Sequence, residues 1–122
     1  MKSLIATVVL LSSVLILSVI NFIYVNNTAD DLCKMLDALP PFDDRALQAA
    51  AQEIEDYWKK KENIIGLTVS YPFVDRISEE AARLTVSVQA GDLYGFESAR
   101  ALLYDAAEDM RRAEQFSIGN LF

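Results

Sequence analysis

The N-terminal part of the chain contains the sequence LIATVVLLSSVLILSVINFIYV, residues 4–25, a run of 22 residues without a charged side chain. As an α-helix this run extends about 33 Å, enough to cross a hydrocarbon core of roughly 30 Å. A cleaved signal peptide is one alternative, but its apolar region is usually only about 7–15 residues long, and Asn27 fits poorly at the minus-three position of a cleavage site after Ala29. A buried helix of a soluble domain is the other. We predict an uncleaved transmembrane helix over residues 4–25.

The charges on either side of this helix predict its orientation. Lys2 precedes it, whereas Asp30 and Asp31 follow it. Positive residues tend to stay in the cytoplasm, although Lys34 on the far side weakens the asymmetry. We therefore expect a single-pass protein of the cell membrane, with residues 1–3 cytoplasmic and residues 26–122 forming one extracytoplasmic domain.

The domain after residue 25 is strongly acidic. It carries all 18 acidic residues and 10 of the 11 basic ones, hence a formal charge of −8. Such a domain has no electrostatic reason to bind nucleic acid or an anionic lipid surface. Its only basic cluster, Lys59–Lys61, alternates with acids one helical turn away and is typical of a solvated helix face. We predict no nucleic-acid partner.

The residue types needed for common catalytic chemistry are scarce. The chain has no histidine and a single cysteine. The commonest general base, the usual neutral metal ligand and any disulfide within the chain are therefore missing. Cys33 fits a small buried hydrophobe, or else an intermolecular disulfide just outside the membrane. No phosphate loop, serine-nucleophile elbow or paired-cysteine motif is present.

Three acidic clusters are the remaining candidates for chemistry. Paired carboxylates can act in acid–base catalysis or bind calcium, but none of these clusters has the spacing of a calcium loop. We expect each to be a solvated helix face, and predict neither enzyme activity, nor a cofactor, nor a metal site. The clusters are Glu53, Glu55 and Asp56; Glu79 and Glu80; and Asp105, Glu108 and Asp109.

A heptad pattern runs from the predicted membrane helix into residues 26–39. No glycine or proline interrupts the chain before Pro40. The pattern predicts a helix–helix contact in which Ser18 and Asn21 form hydrogen bonds inside the membrane. A chance period in an apolar segment is the alternative, and a break at 27–31 is a further one, because Thr28 and Asp31 have capping-box spacing. The positions are Thr7, Leu11, Val14, Ser18, Asn21, Val25, Thr28, Leu32, Met35 and Leu39.

The next segment reads as a second helix. Pro40 and Pro41 end the first helix, and Asp43 or Asp44 caps the second. An apolar stripe follows, and it includes Trp58, the only tryptophan. Trp58 fits a core anchor, or else a partner contact, since tryptophan is enriched at binding hot spots.

Residues 66–72 are ambiguous. Gly66 could end the second helix, and residues 67–71 alternate as a strand would. A lone strand has nothing to pair with, because no second strand-like run exists in the chain. We therefore expect the helix to continue to Ser70 or Tyr71 and to stop before Pro72.

Two more helices complete the chain. The third is predicted from Phe73 or Asp75 to Ala90, with Gly91 just past its end and Asp92 capping the fourth. The apolar residues of 116–122 are expected to fold back onto the other helices. The predicted fold is all-α, an N-terminal transmembrane helix that continues into an antiparallel up-and-down bundle of about four helices in total.

The order of these features resembles a family of small single-pass membrane proteins of Gram-positive, often spore-forming bacteria, known only as a domain of unknown function. The resemblance covers nearly the whole chain, but it departs at residues 66–71, where the family is more plainly helical. It implies a helical extracytoplasmic domain and no known activity. Because members are often encoded beside another membrane protein, it also implies a membrane-protein partner. The residues that carry it are Trp58, Lys59 and Lys60; Pro72, Asp75 and Ile77; Gly91 and Asp92; and Glu114, Ser117, Ile118, Asn120 and Leu121.

These features together predict a non-catalytic, membrane-tethered module that assembles with itself or with another membrane protein. An extracytoplasmic sensor that holds a small ligand or a cation between its helices is the alternative. The residues expected to contact a partner are Ser18, Asn21, Leu32, Met35, Leu39 and Trp58.

Overall fold

Four α-helices build the protein, for which a computed structural model describes residues 1–121. The helices are α1 (Lys2–Asp37), α2 (Ala46–Ile65), α3 (Tyr71–Gln89) and α4 (Leu93–Leu121), and these residues contain no strand. Each helix packs against the next one in the chain, and α4 closes the bundle against α1. The predicted all-α fold, a long apolar N-terminal helix followed by a helical bundle, is confirmed.

Helix α1 runs without a break from Lys2 to Asp37. The predicted continuation beyond residue 25 is therefore present, and the alternative break at 27–31 is not. The Thr28 hydroxyl donates to the carbonyl of Tyr24 at 2.9 Å, a bond along the helix that replaces a capping role. The helix ends before Pro40 and Pro41, since proline lacks the amide that continues the ladder.

The core of the bundle takes one apolar stripe from each helix. On α1 the stripe begins only at Val25, which is fully buried, and it repeats at three- and four-residue steps. Burial of each large aliphatic side chain contributes roughly 1.5–3 kcal/mol to stability. The buried residues of the stripes are Val25, Ala29, Leu32, Cys33 and Leu36; Leu47, Ala51, Ile54, Trp58 and Ile65; Ile77, Ala81 and Leu84; and Phe96, Ala99, Leu103, Ala106, Ala107 and Met110.

Trp58 lies at the centre of this core with 1% of its surface exposed. Its indole nitrogen donates to the Ser78 hydroxyl on α3 at 2.8 Å, and that hydroxyl lies 2.9 Å from Glu62 Oε2, to which it can donate. Because a buried indole N–H needs a partner, Ser78 fixes the ring between α2 and α3. The interpretation of Trp58 as a core anchor is confirmed.

The connection between α2 and α3 differs from the prediction. Helix α2 ends at Ile65, five residues before Ser70, where we expected it to end. After Gly66 the hydrogen bonds shorten to three-residue steps, and Val69 turns its side chain into the core. Ser70 has ψ of 138°, an extended conformation that separates the two helices, and Pro72 lies in the first turn of α3, where its missing amide costs no helix hydrogen bond. Helix α3 consequently begins at Tyr71, earlier than expected.

The connection between α3 and α4 follows the prediction. Gly91 has φ of +68°, a left-handed conformation that glycine adopts without strain. The Asp92 amide donates to the Ser87 carbonyl at 2.9 Å and the Gly91 amide to the Val88 carbonyl at 3.2 Å, which together form a Schellman turn. Asp92 Oδ1 then accepts the amide of Gly95 at 2.9 Å and caps α4.

The connection between α1 and α2 is also capped by an aspartate. Asp44 Oδ1 accepts the amide of Ala46 at 2.8 Å, although Arg45 is the residue directly before the helix. Phe42 packs on Phe96 with the ring centroids 5.5 Å apart, which closes this end of the core.

The C-terminal segment does not fold back as a separate tail. Residues 116–121 continue α4 as its last turns. An uninterrupted helix satisfies the backbone hydrogen bonds of this apolar segment, which a reversal of the chain would break. Residue 122, the last part of the predicted tail, lies outside the described residues.

The Trp58–Ser78 contact gives the first prediction. Ser78→Ala removes the acceptor of a buried indole N–H, so we expect the free energy of unfolding to fall by about 1–3 kcal/mol. Ser98→Ala is the matched control, because the Ser98 hydroxyl only accepts from Arg83 at the surface, and its cost should stay below about 0.5 kcal/mol. The free energies of unfolding of both variants are measured by urea unfolding of the full chain in mild detergent, with Trp58 fluorescence as the signal. Equal effects would contradict the anchoring role of Ser78.

Candidate functional site

The first half of α1 lies outside the bundle. It holds most of the exposed large apolar side chains of the protein, from Leu4 to Ile23. Among the described residues α1 is the one helix long and apolar enough to span a membrane, and none of its most apolar 18-residue window is buried. The alternative of a buried core helix in a soluble domain is therefore wrong.

The heptad positions on α1 separate into two groups. Thr7, Leu11 and Val14 are exposed, and Ser18 and Asn21 are half-buried. The positions from Val25 onward pack inside the protein's own bundle, as the core stripe shows. The pattern is therefore a real helix–helix contact in its second half, but the helices in contact belong to one chain.

Three of the residues expected to contact a partner lie in this second half. Leu32 is fully buried, and Met35 and Leu39 are partly buried against the core. Trp58 is buried as well, so neither Leu32 nor Trp58 can reach a partner unless the bundle opens. Contact of Leu32 and Trp58 with a partner therefore stays a prediction.

Asn21 joins three elements where α1 leaves the bundle. Its side-chain nitrogen donates to Glu114 Oε1 on α4 at 2.7 Å, and its oxygen accepts from the Thr68 hydroxyl of the α2–α3 connection at 2.8 Å. We call Asn21, Thr68 and Glu114 the basal junction. The expected polar contact of Asn21 therefore exists within the chain, where it ties α1 to the two elements beside it.

On the side of the basal junction toward the N-terminus of α1, an open groove of about 310 Å³ separates α1 from the last turns of α4. Val14, Leu17 and Ser18 line one side, and Ser117 and Ile118 line the other. Ser18 thus faces α4 of its own chain. The groove is mainly apolar, with polar groups at the end nearest the junction.

On the side of the basal junction toward the C-terminus of α1, polar side chains connect α1 to α4. Arg111 forms ion pairs with Asp30 on α1 and with Glu108, which lies 3.4 Å away on its own helix. Gln115 donates to Asn26 at 3.4 Å one turn closer to the junction. These contacts fix the antiparallel register of α4 along α1.

Cys33 belongs to the same α1–α4 contact. It is 6% exposed, and its sulfur donates to Glu108 Oε1 at 3.5 Å. Burial, followed by the hydrogen bond to and the negative charge of Glu108, raises the pKa of the thiol to about 12. The prediction of a small buried residue is confirmed, and an intermolecular disulfide would require α1 and α4 to separate.

The third acidic cluster, Asp105, Glu108 and Asp109, is partly paired with basic groups. Asp109 lies 2.8 Å from Arg76 on α3 and 3.5 Å from Arg112. With Glu108 and Asp105 they line a shallow polar groove of about 440 Å³. Among the described residues no group of three or more acidic, cysteine or histidine side chains could hold a metal ion.

The basic cluster is less uniform than expected. Lys59 and Lys60 are exposed, but the amine of Lys61 lies 5.1 Å from the ring centroid of Tyr24 and 5.4 Å from that of Tyr57. Tyr57 donates to Asp31 at 2.7 Å, and burial, with this hydrogen bond, raises the pKa of its phenol. Lys61 thus helps to join α2 to α1.

The sequence pattern missed the basal junction and the Arg111–Asp30 ion pair. The residues in these contacts are separated by 47 to 93 positions in the chain. One signal did exist, because Glu114 is the last charged side chain of the sequence and Asn21 is the first amide within the apolar run.

The basal junction gives a second prediction. Asn21→Leu leaves Thr68 and Glu114 without their shared partner, so we expect the bundle to lose about 1–3 kcal/mol of stability. Amide hydrogen exchange in residues 66–70 and 115–121 should become faster. Asn27→Leu is the control, since Asn27 is exposed on the same helix. Unchanged exchange at both segments in Asn21→Leu would show that the junction does not hold them.

The buried thiol gives a third prediction. Because the pKa of Cys33 rises from 9.0 to about 12, alkylation at pH 8 should be about a thousandfold slower in the folded protein than in urea. Since this pKa is raised on folding, the stability due to the neutral thiol is complete below pH 9 and decreases as the pH rises toward 12. Glu108→Gln should speed alkylation in the folded state alone. Equal rates with and without urea would contradict the burial of Cys33.

Neither the sequence nor the fold of this chain matches a protein-family model, a curated protein or a solved structure. The inference of function therefore depends on the chain's own residues and their contacts.

Proposed function

We propose that the protein is a non-catalytic, membrane-tethered helical module that assembles with a second copy of itself or with another membrane protein. Helix α1 is its single membrane pass, with the N-terminus in the cytoplasm and the bundle on the extracytoplasmic side. The observation that carries the proposal is the division of α1, whose first half lies outside the bundle and whose second half lies in the core.

The burial of Val25, Thr28 and Ala29 supports a permanent anchor over a cleaved signal peptide. Cleavage after Ala29 would remove Val25 and Ala29, which are fully buried, and Thr28, which is 2% exposed. The bundle would lose one end of its core and the Asn21 contacts. Loss of buried aliphatic side chains costs about 2–5 kcal/mol each, a large part of the stability of a small domain.

The charges at the two ends of the apolar run support the proposed orientation. Lys2 is the only charged side chain before it, and Asp30 and Asp31 are the first after it. Arg111 pairs with Asp30, so this acidic end belongs to the folded bundle. The positive-inside rule counts lysine and arginine near the ends of the helix, so Lys2 is the residue that favours a cytoplasmic N-terminus.

The exposed heptad positions are the best candidates for partner contact. Thr7, Leu11 and Val14 lie on one side of α1, with Thr7 and Leu11 beyond the last turns of α4 and Val14 at the groove that Ile118 lines. The Thr7 hydroxyl already donates to the Ser3 carbonyl at 2.7 Å, so it has no unpaired proton to offer. A contact at these positions would therefore depend on close packing of side chains in the lipid more than on hydrogen bonds.

The polar groups of the bundle support a non-catalytic role. Catalysis needs convergent polar groups in a cleft, whereas the described carboxylates of the polar groove face Arg76 and Arg112 across an open surface. A cation-binding sensor has less support, because a bound cation would compete with those arginines for Asp109. The resemblance to single-pass proteins of unknown function is consistent with an accessory role.

The test is recovery of a complex from native membranes in mild detergent after brief crosslinking in cells. We expect a stoichiometric second membrane protein or a dimer of the chain. Leu11→Trp should reduce its recovery several-fold, because a bulky side chain disturbs close helix packing.

Ile16→Trp is the matched control. Ile16 has the same 59% exposure as Leu11 but lies on the opposite side of α1, so recovery should not change. Recovery of the monomer alone would contradict assembly, and equal losses in both variants would contradict the proposed contact side.

A further inference from the structure

Four segments of eight or more residues contain no charged side chain: residues 84–91, which end at Gly91, and three others. The three others are residues 3–29, 63–74 and 115–122, and every charged side chain except Lys2 falls in residues 30–62 or 75–114. Only the first of these three segments was needed to explain an anchor. The other two lie far from it in the sequence.

The fold brings these three uncharged segments to one end of the bundle. The basal junction ties them together, with Asn21 from the first segment, Thr68 from the second and Glu114 directly before the third. The groove between Val14 and Ile118 extends the contact farther down α1. We call residues 63–74 and 115–121 the basal surface.

The basal surface exposes large apolar side chains. Leu67 is 82% exposed, Tyr71 75% and Phe116 72%, and Ile64 is exposed beside them. The Tyr71 hydroxyl donates to Asp75 at 3.3 Å, so the ring lies between the uncharged turn and the first charged residue of α3. Tyrosines with one apolar and one polar end are enriched at membrane–water interfaces.

The opposite end of the bundle is different. It also exposes apolar side chains, Val86, Leu93 and Tyr94, but Asp92 directly precedes Leu93 and Glu97 follows Tyr94 by three residues. An isolated exposed apolar residue among charges needs no explanation, whereas a contiguous uncharged and apolar surface does.

The length of α1 places the basal surface at the membrane boundary. From Leu4 to Asn21 a helix rises about 26 Å, slightly less than a hydrocarbon core of roughly 30 Å. Helix α4 continues seven residues past Glu114, about 10 Å, back along α1 toward Val14. Its last turns therefore lie beside α1 residues at the depth of the lipid chains.

We propose that the basal surface is immersed in the lipid leaflet on the bundle's side of the membrane, so that the α2–α3 connection and the end of α4 contact lipid as α1 does. This inference rests on the proposed membrane pass of α1. The occupant is the bilayer, because the surface is continuous with the exposed apolar part of α1 and lacks charge as that part does.

The experiment measures depth in the membrane at four positions of the full chain in phosphatidylcholine vesicles. Single variants Leu67→Cys, Phe116→Cys, Tyr94→Cys and Val9→Cys on a Cys33→Ala background carry an environment-sensitive fluorophore. Because Cys33 is buried, brief labelling on the native background is a second route if Cys33→Ala weakens the fold.

Brominated phosphatidylcholine should quench most of the fluorescence at positions 67, 116 and 9, and little at position 94. Strong quenching at 9 with weak quenching at 67 and 116 would overturn immersion alone. Blue-shifted emission without quenching at 67 and 116 would show that protein covers the surface, and would also overturn it. Weak quenching at position 9 would overturn the membrane pass and this inference together.

Discussion

The structure depends on helix α1, which continues without a break from an exposed apolar part into the core of the bundle. Helix α1 is apolar on all sides where it leaves the bundle, and it is apolar on one stripe where it enters it. The change from an exposed helix to one buried on one side falls at residues 21–25, between the amide of Asn21 and the first fully buried side chain, Val25. A single unbroken backbone makes both parts one rigid element, because each turn is hydrogen-bonded to the next.

The fold could be predicted largely because its signals are local. Stripes with a three- and four-residue period identified the helices, Gly91 and Asp92 identified the turn before α4, and Pro40 ended α1. The error at residues 66–70 has a physical cause. The turn there is held by Val69 entering the core and by Thr68 bonding to Asn21, both of which are tertiary contacts that propensity does not contain.

The candidate site was less predictable than the fold. Helical period places residues on a face, but it does not say which helix covers that face. The heptad pattern of α1 was therefore visible, whereas its assignment to a partner was not secure, since Leu32 and Trp58 pack within the chain. The basal junction and the Arg111–Asp30 pair join residues far apart in sequence, and only the assembled bundle shows them.

The unbroken course of α1 to Asp37 has a mechanical consequence. Transmembrane helices tilt when the bilayer is thinner than their apolar length. The part of α1 inside the bundle, from Asn21 to Asp37, is about 24 Å long, so a tilt of about 10° displaces its far end sideways by about 4 Å. Under the proposed membrane pass, a change in bilayer thickness would therefore displace the end of the bundle that holds the α1–α2 and α3–α4 connections.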